Sequence, residues 1–401
     1  MEPSTTATQN AAGAMVASPL QTTGVPWYLW CAAIAVTSSC VGMAWDVAWH
    51  RSIGRDSFWT PPHMAVYACG ILAGIIAGYL IFTITFGRSS YLQSVSVNVL
   101  GFRAPLGAFI AAWGGGAMLT SAPFDNWWHA AYGFDLKVGS PPHVVLLTGV
   151  FVVSLGALYL ILPAMNRTVS ATDPATQETH KRLRHCFLYV GGVFTTQQMF
   201  FLVPYVWEGK LHSASSYTYM AILIPLMMAM LSTASRSRWA ATSITAVYTA
   251  LRLGELWILP LFPAQPRLGP VYFPVTHLVP AKFPVLIILP AIALDLLWQR
   301  TRGWAQWKVA LVSGVLFMGL LVAIEWPFAS FLMTKAANNR FFGSMYFNYN
   351  SLSTSADRRR IFDDPSHGMA LFTGLLRATV YSIAGMWCGF RSGKQMRRLQ
   401  R

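Results

Sequence analysis

Long apolar runs, separated by short stretches that are polar, basic or broken by Pro and Gly, make up most of the chain. A run of about 20 apolar residues is what a helix needs to cross a bilayer. Ten such segments can be read: 27–49, 62–86, 101–124, 142–164, 185–207, 217–234, 239–262, 279–298, 307–332 and 368–390. The expected fold is therefore all-α, a polytopic membrane helix bundle of about ten spans. Residues 1–26, rich in Ser, Thr, Ala and Gln, lack the basic start of a signal peptide and read as a flexible tail. Residues 391–401 form a basic tail, and 333–367 form the one long connection.

Composition narrows the class. Hydrophobic residues are 54% of the chain and charged residues 11%, against about 25% charged in a soluble domain. Mean hydropathy is +0.45. An ordinary soluble enzyme, a disordered protein and a disulfide-stapled secreted domain are all excluded. The net charge of +15 is spread through the short connections, a pattern that orients membrane proteins, so no nucleic-acid partner is expected. Ten spans put both termini on one side. The connections on that side carry the larger share of Lys and Arg, so both termini are expected in the cytoplasm and the protein in the cell's inner (plasma) membrane. Arg252 and Arg377 fall inside spans. Cys31, Cys40, Cys69, Cys186 and Cys388 lie in apolar stretches without a CxxC pair, so neither a disulfide framework nor a thiolate zinc site is expected.

One window occurs twice. DVAWHRSIGRDSFWTPPH starts at Asp46 and DNWWHAAYGFDLKVGSPPH starts at Asp125. Aligned, they share Asp46/Asp125, Trp49/Trp128, His50/His129, Gly54/Gly133, Asp56/Asp135 and a Pro-Pro-His ending at His63 and His143, with one residue inserted before the second pair of prolines. The repeat unit is two spans joined by a short connection, so the duplicated region is 27–164 and six further helices fill 165–390. Two spans per unit also place both windows at the same membrane face, which the charge distribution makes the outer one.

Asp46 and His50 are i and i+4 on the last turn of the first helix and share a face. Two prolines suit the start of the next helix, where a missing N–H costs nothing. His63 then lies in that helix's first turn, folded back beside His50. One carboxylate and two imidazoles converge, a donor set for a divalent first-row metal with open positions; Asp125, His129 and His143 repeat it. Asp56 and Asp135 are placed to accept a ligand's N–H. Trp45, Trp49, Trp59, Trp127 and Trp128 fit an interfacial aromatic belt or an apolar wall for the site. The same residues would also suit an ion or proton pathway, or a hydrogen-bonded corner preserved by duplication.

At these residues the sequence resembles the C subunit of the copper membrane monooxygenases, the methane and ammonia monooxygenase type. That subunit carries a metal site of Asp, a His four residues on and a second His thirteen further, near the outer face of the membrane. Asp46, His50 and His63 match this spacing; Asp125, His129 and His143 match it with one extra residue. The resemblance implies copper, molecular oxygen, hydroxylation of a small apolar or lipid-soluble substrate, and partner subunits of an oxygenase complex. Iron or zinc are the alternative metals for this donor set. The competing functions are a membrane metal-binding, delivery or transport protein, and a zinc-type membrane hydrolase with Asp56 or Asp135 as base.

Elsewhere, Arg252 and Glu255 at i, i+3 read as a buried ion pair, and Gln197-Gln198 as a hydrogen-bonding pair between helices. Glu325 reads as a cavity-lining group or an extra ligand. Glu208, His212, His277 and His367 fall in connections on the motif's side, and His180 and His185 on the opposite side. The 333–367 connection is long enough for a lid or docking surface.

Overall fold

The computed structural model describes residues 24–54, 58–132, 139–200, 202, 210–267, 275–281, 284–343, 345 and 365–401. Among them are eleven α-helices: α1 (Trp27–Ser52), α2 (Pro61–Phe86), α3 (Ser90–Ser94), α4 (Leu106–Tyr132), α5 (Pro141–Arg167), α6 (Pro174–Phe200), α7 (Ala214–Ser235), α8 (Ala240–Ile258), α9 (Ile288–Arg300), α10 (Gln306–Leu332) and α11 (Gly368–Met396). Each of the ten expected spans falls on one of these; the eleventh is the five-residue α3. Helices α1, α2, α5, α7, α8 with its 3₁₀ extension to Leu261, α10 and α11 are long and apolar enough to cross a membrane. The protein is a polytopic membrane helix bundle.

Several boundaries differ from the expected ones. The segment 101–124 begins instead with a small hairpin, β1 (Val97–Val99) paired antiparallel to β2 (Phe102–Ala104), whose turn holds Leu100 and Gly101 at positive φ. Helix α4 then runs on to Tyr132, built of Gly, Ala and Trp where its neighbours use Leu, Ile and Val. Helix α6 starts at Pro174, with the Asp173 carboxylate accepting from the Thr176 N–H at 2.8 Å. An N-cap acid followed by proline is a strong start signal and carries the helix past the apolar layer. The segment 279–298 yields only the 13-residue α9. Pro280 and Pro284 precede it and cannot donate to a helix ladder; the Pro284 carbonyl instead accepts from Tyr248 Oη at 2.8 Å.

Helices α1, α2, α4 and α5 form one half of the molecule. α1 packs on α2 and α4 on α5; α2 packs on α4 and α5 on α1; α2 and α5 also touch. Exchanging α1 with α4 and α2 with α5 leaves this set of contacts unchanged, so the sequence repeat is expressed as a pseudo-twofold arrangement with α2 and α5 beside its axis. Small residues make the close crossings. A Cβ on Gly114 of α4 would stand 2.5 Å from the Val153 nitrogen of α5, and one on Gly115 would stand 3.0 Å from the Gly70 carbonyl of α2.

Gln197 on α6 ties this half together. It accepts from Ser154 Oγ at 2.6 Å on α5 and donates to the Val36 carbonyl at 3.0 Å and Ser39 Oγ at 2.9 Å on α1. In the second half, α7 and α11 lie in close contact along α11 glycines 374, 385, 389 and 393. Asp295 of α9 reaches across to the start of α8, accepting from the backbone N–H of Ala241 at 3.2 Å and of Thr242 at 2.8 Å, and from Thr242 Oγ1 at 2.7 Å. Both described ends of the chain sit at one end of the bundle. Arg167, at the end of α5, donates to the Gln400 carbonyl at 2.6 Å and is also an electrostatic neighbour of Tyr28.

Candidate metal centre

The two duplicated windows are helix–turn–helix corners at the opposite end of the bundle. In the first, Asp46 and His50 lie on the final turns of α1. His63 is the third residue of α2, after Pro61 and Pro62 and an extended Thr60. His63 Nε2 stands 3.3 Å from Asp46 Oδ1, and His50 Nε2 3.6 Å from Asp46 Oδ2. In the second, Asp125 and His129 end α4 and His143 is the third residue of α5. The separations are 3.5 Å from His143 Nε2 to Asp125 Oδ1 and 3.4 Å from His129 Nε2 to Asp125 Oδ2. Each trio offers three donor atoms all within 4.8 Å of one another, and these are the only such trios among the described residues.

The distances speak to the chemistry. Charge-assisted N–H···O bonds close to about 2.7–2.9 Å, and all four separations are longer. Donors held about 2.0–2.2 Å from one tetrahedral ion stand about 3.4 Å apart, close to the carboxylate–imidazole separations in both trios. Two imidazoles and one carboxylate leave further positions on such an ion free. His63 and His143 sit in the first turns of α2 and α5. The donor set therefore fits copper, iron or zinc.

The two corners occupy the same end of the bundle, on helices that pack α1 on α5, α2 on α4 and α2 on α5.

Their surroundings differ. Around the first trio, residues of 262–267 and 275–281 pack over the end of α1: Ala264 and Leu278 pack on Ala48, Val279 N–H donates to Ser52 Oγ at 2.7 Å, and Arg267 N–H donates to the Ile53 carbonyl at 2.8 Å. The Tyr67 ring lies 5.9 Å from that of His63. Around the second trio, an aromatic group of Phe124, Trp127, Trp128 and Tyr132 faces outward, with Trp128 and Tyr132 centroids 4.5 Å apart and Trp127 and Tyr132 exposed. Trp59 and Trp127 are exposed as a belt requires. Trp45, Trp49 and Trp128 are half-buried beside the trios.

Asp56 and Asp135, expected to orient ligand imidazoles, lie outside the described residues, as does Glu208. Arg252 and Glu255 form the expected ion pair, deeply buried, with the guanidinium 4.7 Å above the Phe200 ring. Glu325 is fully buried away from both trios and accepts from the Leu286 N–H at 3.0 Å, anchoring the extended chain that leads into α9. His212 bonds Ser330 Oγ at 2.9 Å and stands edge-on to Trp326, and burial pulls its imidazole below the usual histidine range. His180 bonds Thr168 Oγ1 at 3.0 Å, His277 bonds Thr276 Oγ1 at 2.8 Å, and His367 precedes the first turn of α11. His185 lies on α6, and most of the 333–367 connection is outside the described residues.

Sequence reasoning missed the cap supplied by Asp295 and the contacts that 262–267 and 275–281 make with the end of α1. A lone acid in an apolar run was the available signal for the first; no local pattern announced the second. No family model matches the chain, and neither a curated protein nor a solved structure does.

Proposed function

We propose that the protein is an integral-membrane, metal-dependent oxidoreductase of the copper monooxygenase type, hydroxylating a small apolar or lipid-soluble substrate with O₂. The observation that carries the reading is the duplicated Asp/His/His trio, met twice with the same geometry and side by side at one end of a membrane bundle. Copper held by Asp46, His50 and His63, and by Asp125, His129 and His143, would supply the electron-transfer chemistry that activates O₂. One oxygen atom goes to the substrate. The other leaves as water with two protons, and an external donor supplies two electrons.

The chain's own residues do the rest. The carboxylates would offset the metal's charge and hold the two imidazoles beside it. Half-buried Trp45, Trp49 and Trp128 limit water at the trios. The exposed aromatic and aliphatic face of α4 and α5, with Trp113, Leu119, Trp127 and Val144, offers an apolar approach from the bilayer. Basic residues collect at the end opposite the trios, for example Arg167, Arg184, Arg236, Arg300 and Arg398. By the positive-inside rule that end is cytoplasmic and the trios face outward across the plasma membrane. Partner subunits are part of the proposal, and copurification from native membranes tests for them.

Transport finds less support. A metal path would need free donors through the bilayer. Glu255 is engaged by Arg252, Asp295 by the α8 backbone and Glu325 by Leu286. The deciding experiment measures metal per purified chain for the wild type, His50→Ala, His129→Ala and the double variant, with oxygen uptake on an added apolar substrate. Two copper ions lost stepwise, with substrate-dependent oxygen uptake, is the expected result. Zinc without a redox signal would establish the hydrolase instead, and metal uptake into vesicles would establish the transporter.

A further inference from the structure

Arg377 is a charge in an unexpected place. It sits nine residues into α11, a helix otherwise apolar enough to span a membrane, and therefore about 14 Å from that helix's start at 1.5 Å per residue. Among the described residues it has no acidic partner, unlike Arg252, the other cation inside a span. A guanidinium in the hydrocarbon region is costly. It is tolerated when its long stem carries the head toward the interface or toward an anion.

The structure gives it one such place. Between the starts of α7 and α11 lies a groove of about 450 Å³ lined by Ser213, Ser215, Ser366, Thr373 and Arg377. Its polar groups favour an oxyanion. Ser366 Oγ accepts from the Ala214 N–H at 3.0 Å, leaving its own hydrogen to donate. Ser213 and Ser215 share one hydrogen bond of 2.8 Å between their two hydroxyls, so one of the two hydrogens is left to donate. Two helices of 22 and 29 residues begin here without a side-chain cap of their own, directing positive dipole ends at the groove. The path continues apolar. Tyr381, one turn beyond Arg377 on α11, and Ile222, two turns beyond Ser215 on α7, are both exposed toward the bilayer.

We infer that this groove binds the headgroup of an anionic phospholipid, the phosphate on Arg377 and the serine hydroxyls and an acyl chain along the α7–α11 face. A membrane lipid is the occupant because the cation opens sideways onto an apolar helix face that a soluble anion has no reason to reach. The site stands on helices apart from both Asp/His/His trios and is independent of the oxidoreductase reading.

The test uses the full chain purified in mild detergent and equilibrated with phosphatidylglycerol or phosphatidylcholine, with bound lipid per chain counted by native mass spectrometry. Phosphatidylglycerol is expected to be retained in preference to phosphatidylcholine, and about fivefold less in Arg377→Gln, the factor expected for one cation at a membrane surface. Ala370→Phe fills the groove from an exposed lining position without touching the cation, and is expected to lower retention in the same way. It keeps the test open should Arg377→Gln fail to fold. Equal retention by wild type and both variants overturns the proposal, as does equal retention of the two lipids. Displacement of phosphatidylglycerol by millimolar inorganic phosphate would make the occupant a free anion and overturn the assignment to lipid.

Discussion

The first and second Asp/His/His corners hold the same side chains at nearly the same distances, yet they are supported in different ways. The first, at the end of α1, is clamped by 262–267 and 275–281 from the other half of the chain, through Val279 to Ser52 and Arg267 to Ile53. The second, at the end of α4, has its own hairpin for support: α4 and α5 approach through Gly107, Gly114, Gly149 and Gly156 until no side chain fits between their backbones. Duplication copied the donor set and left each copy to find its own scaffold. Local spacing fixes which donors meet; longer-range packing fixes how firmly they are held and from which side they are reached. Exposure does not set the copies apart in the same way: His50 of the clamped copy is the most exposed of the six side chains at 45%, and the second copy is bordered by exposed Trp127 and Tyr132.

The comparison breaks most severely at the α4–α5 contact. Gly156→Leu places a side chain where even a Cβ would stand 2.7 Å from the Ala111 nitrogen. Overpacking of this kind costs about 1–3 kcal/mol or more. The variant is expected to lose the second corner's metal while keeping the first, read as one ion per chain by elemental analysis. Gly78→Leu on α2, where a Cβ meets nothing within 4 Å, is the matched control and should keep both.

A smaller effect is expected at the clamp. Ser52→Ala leaves the buried Val279 N–H without its acceptor, at a cost of about 1–2 kcal/mol. Hydrogen exchange should rise in 275–281, and metal should dissociate faster from the first corner alone. Equal acceleration at both corners would show that the clamp does not distinguish them.

Gln197→Leu tests the link between the two repeat units, α1 of the first and α5 of the second. Ser154, Val36 and Ser39 lose their shared partner, for a net loss of about 1 kcal/mol per hydrogen bond. Thermal stability should fall while the metal stoichiometry stays unchanged, because the glutamine ties α1 to α5 well below both trios.

The smallest effect is expected at the far end of the bundle. The Asp173 carboxyl is held below its usual range by the Thr176 N–H it accepts. Its contribution is therefore present above the ordinary carboxylate pKa and lost as pH falls through the lowered, folded value. Asp173→Ala should lower the melting temperature slightly at neutral pH, and the difference from wild type should vanish in acid. Neither corner should respond, and a metal loss here would contradict their independence from the α6 start.

Most of what positions the donors was legible because it is local. Asp46 and His50 share a face by helical periodicity, and Pro61-Pro62 fixes where α2 begins, so His63 could be placed without knowing anything distant. The hydrophobic runs likewise announced ten helices, since the bilayer imposes a minimum apolar length. Boundaries failed where polar capping extended a helix, as Asp173 and Pro174 did for α6, or where prolines shortened one, as they did before α9. The small hairpin at 97–104 was missed because three-residue strands carry too little pattern.

The sequence by itself determined an all-helical membrane protein with a duplicated Asp/His/His corner at one end, because span length and i, i+4 spacing are properties of neighbouring residues. Only the tertiary structure decided that the corners share one end of a pseudo-twofold arrangement, that the first is clamped by distant chain and the second bordered by exposed aromatic rings, and that Asp295 and Glu325 serve distant backbone groups. Those outcomes depend on which helices lie together, and small-residue crossings and buried polar contacts fix that between segments far apart in the chain.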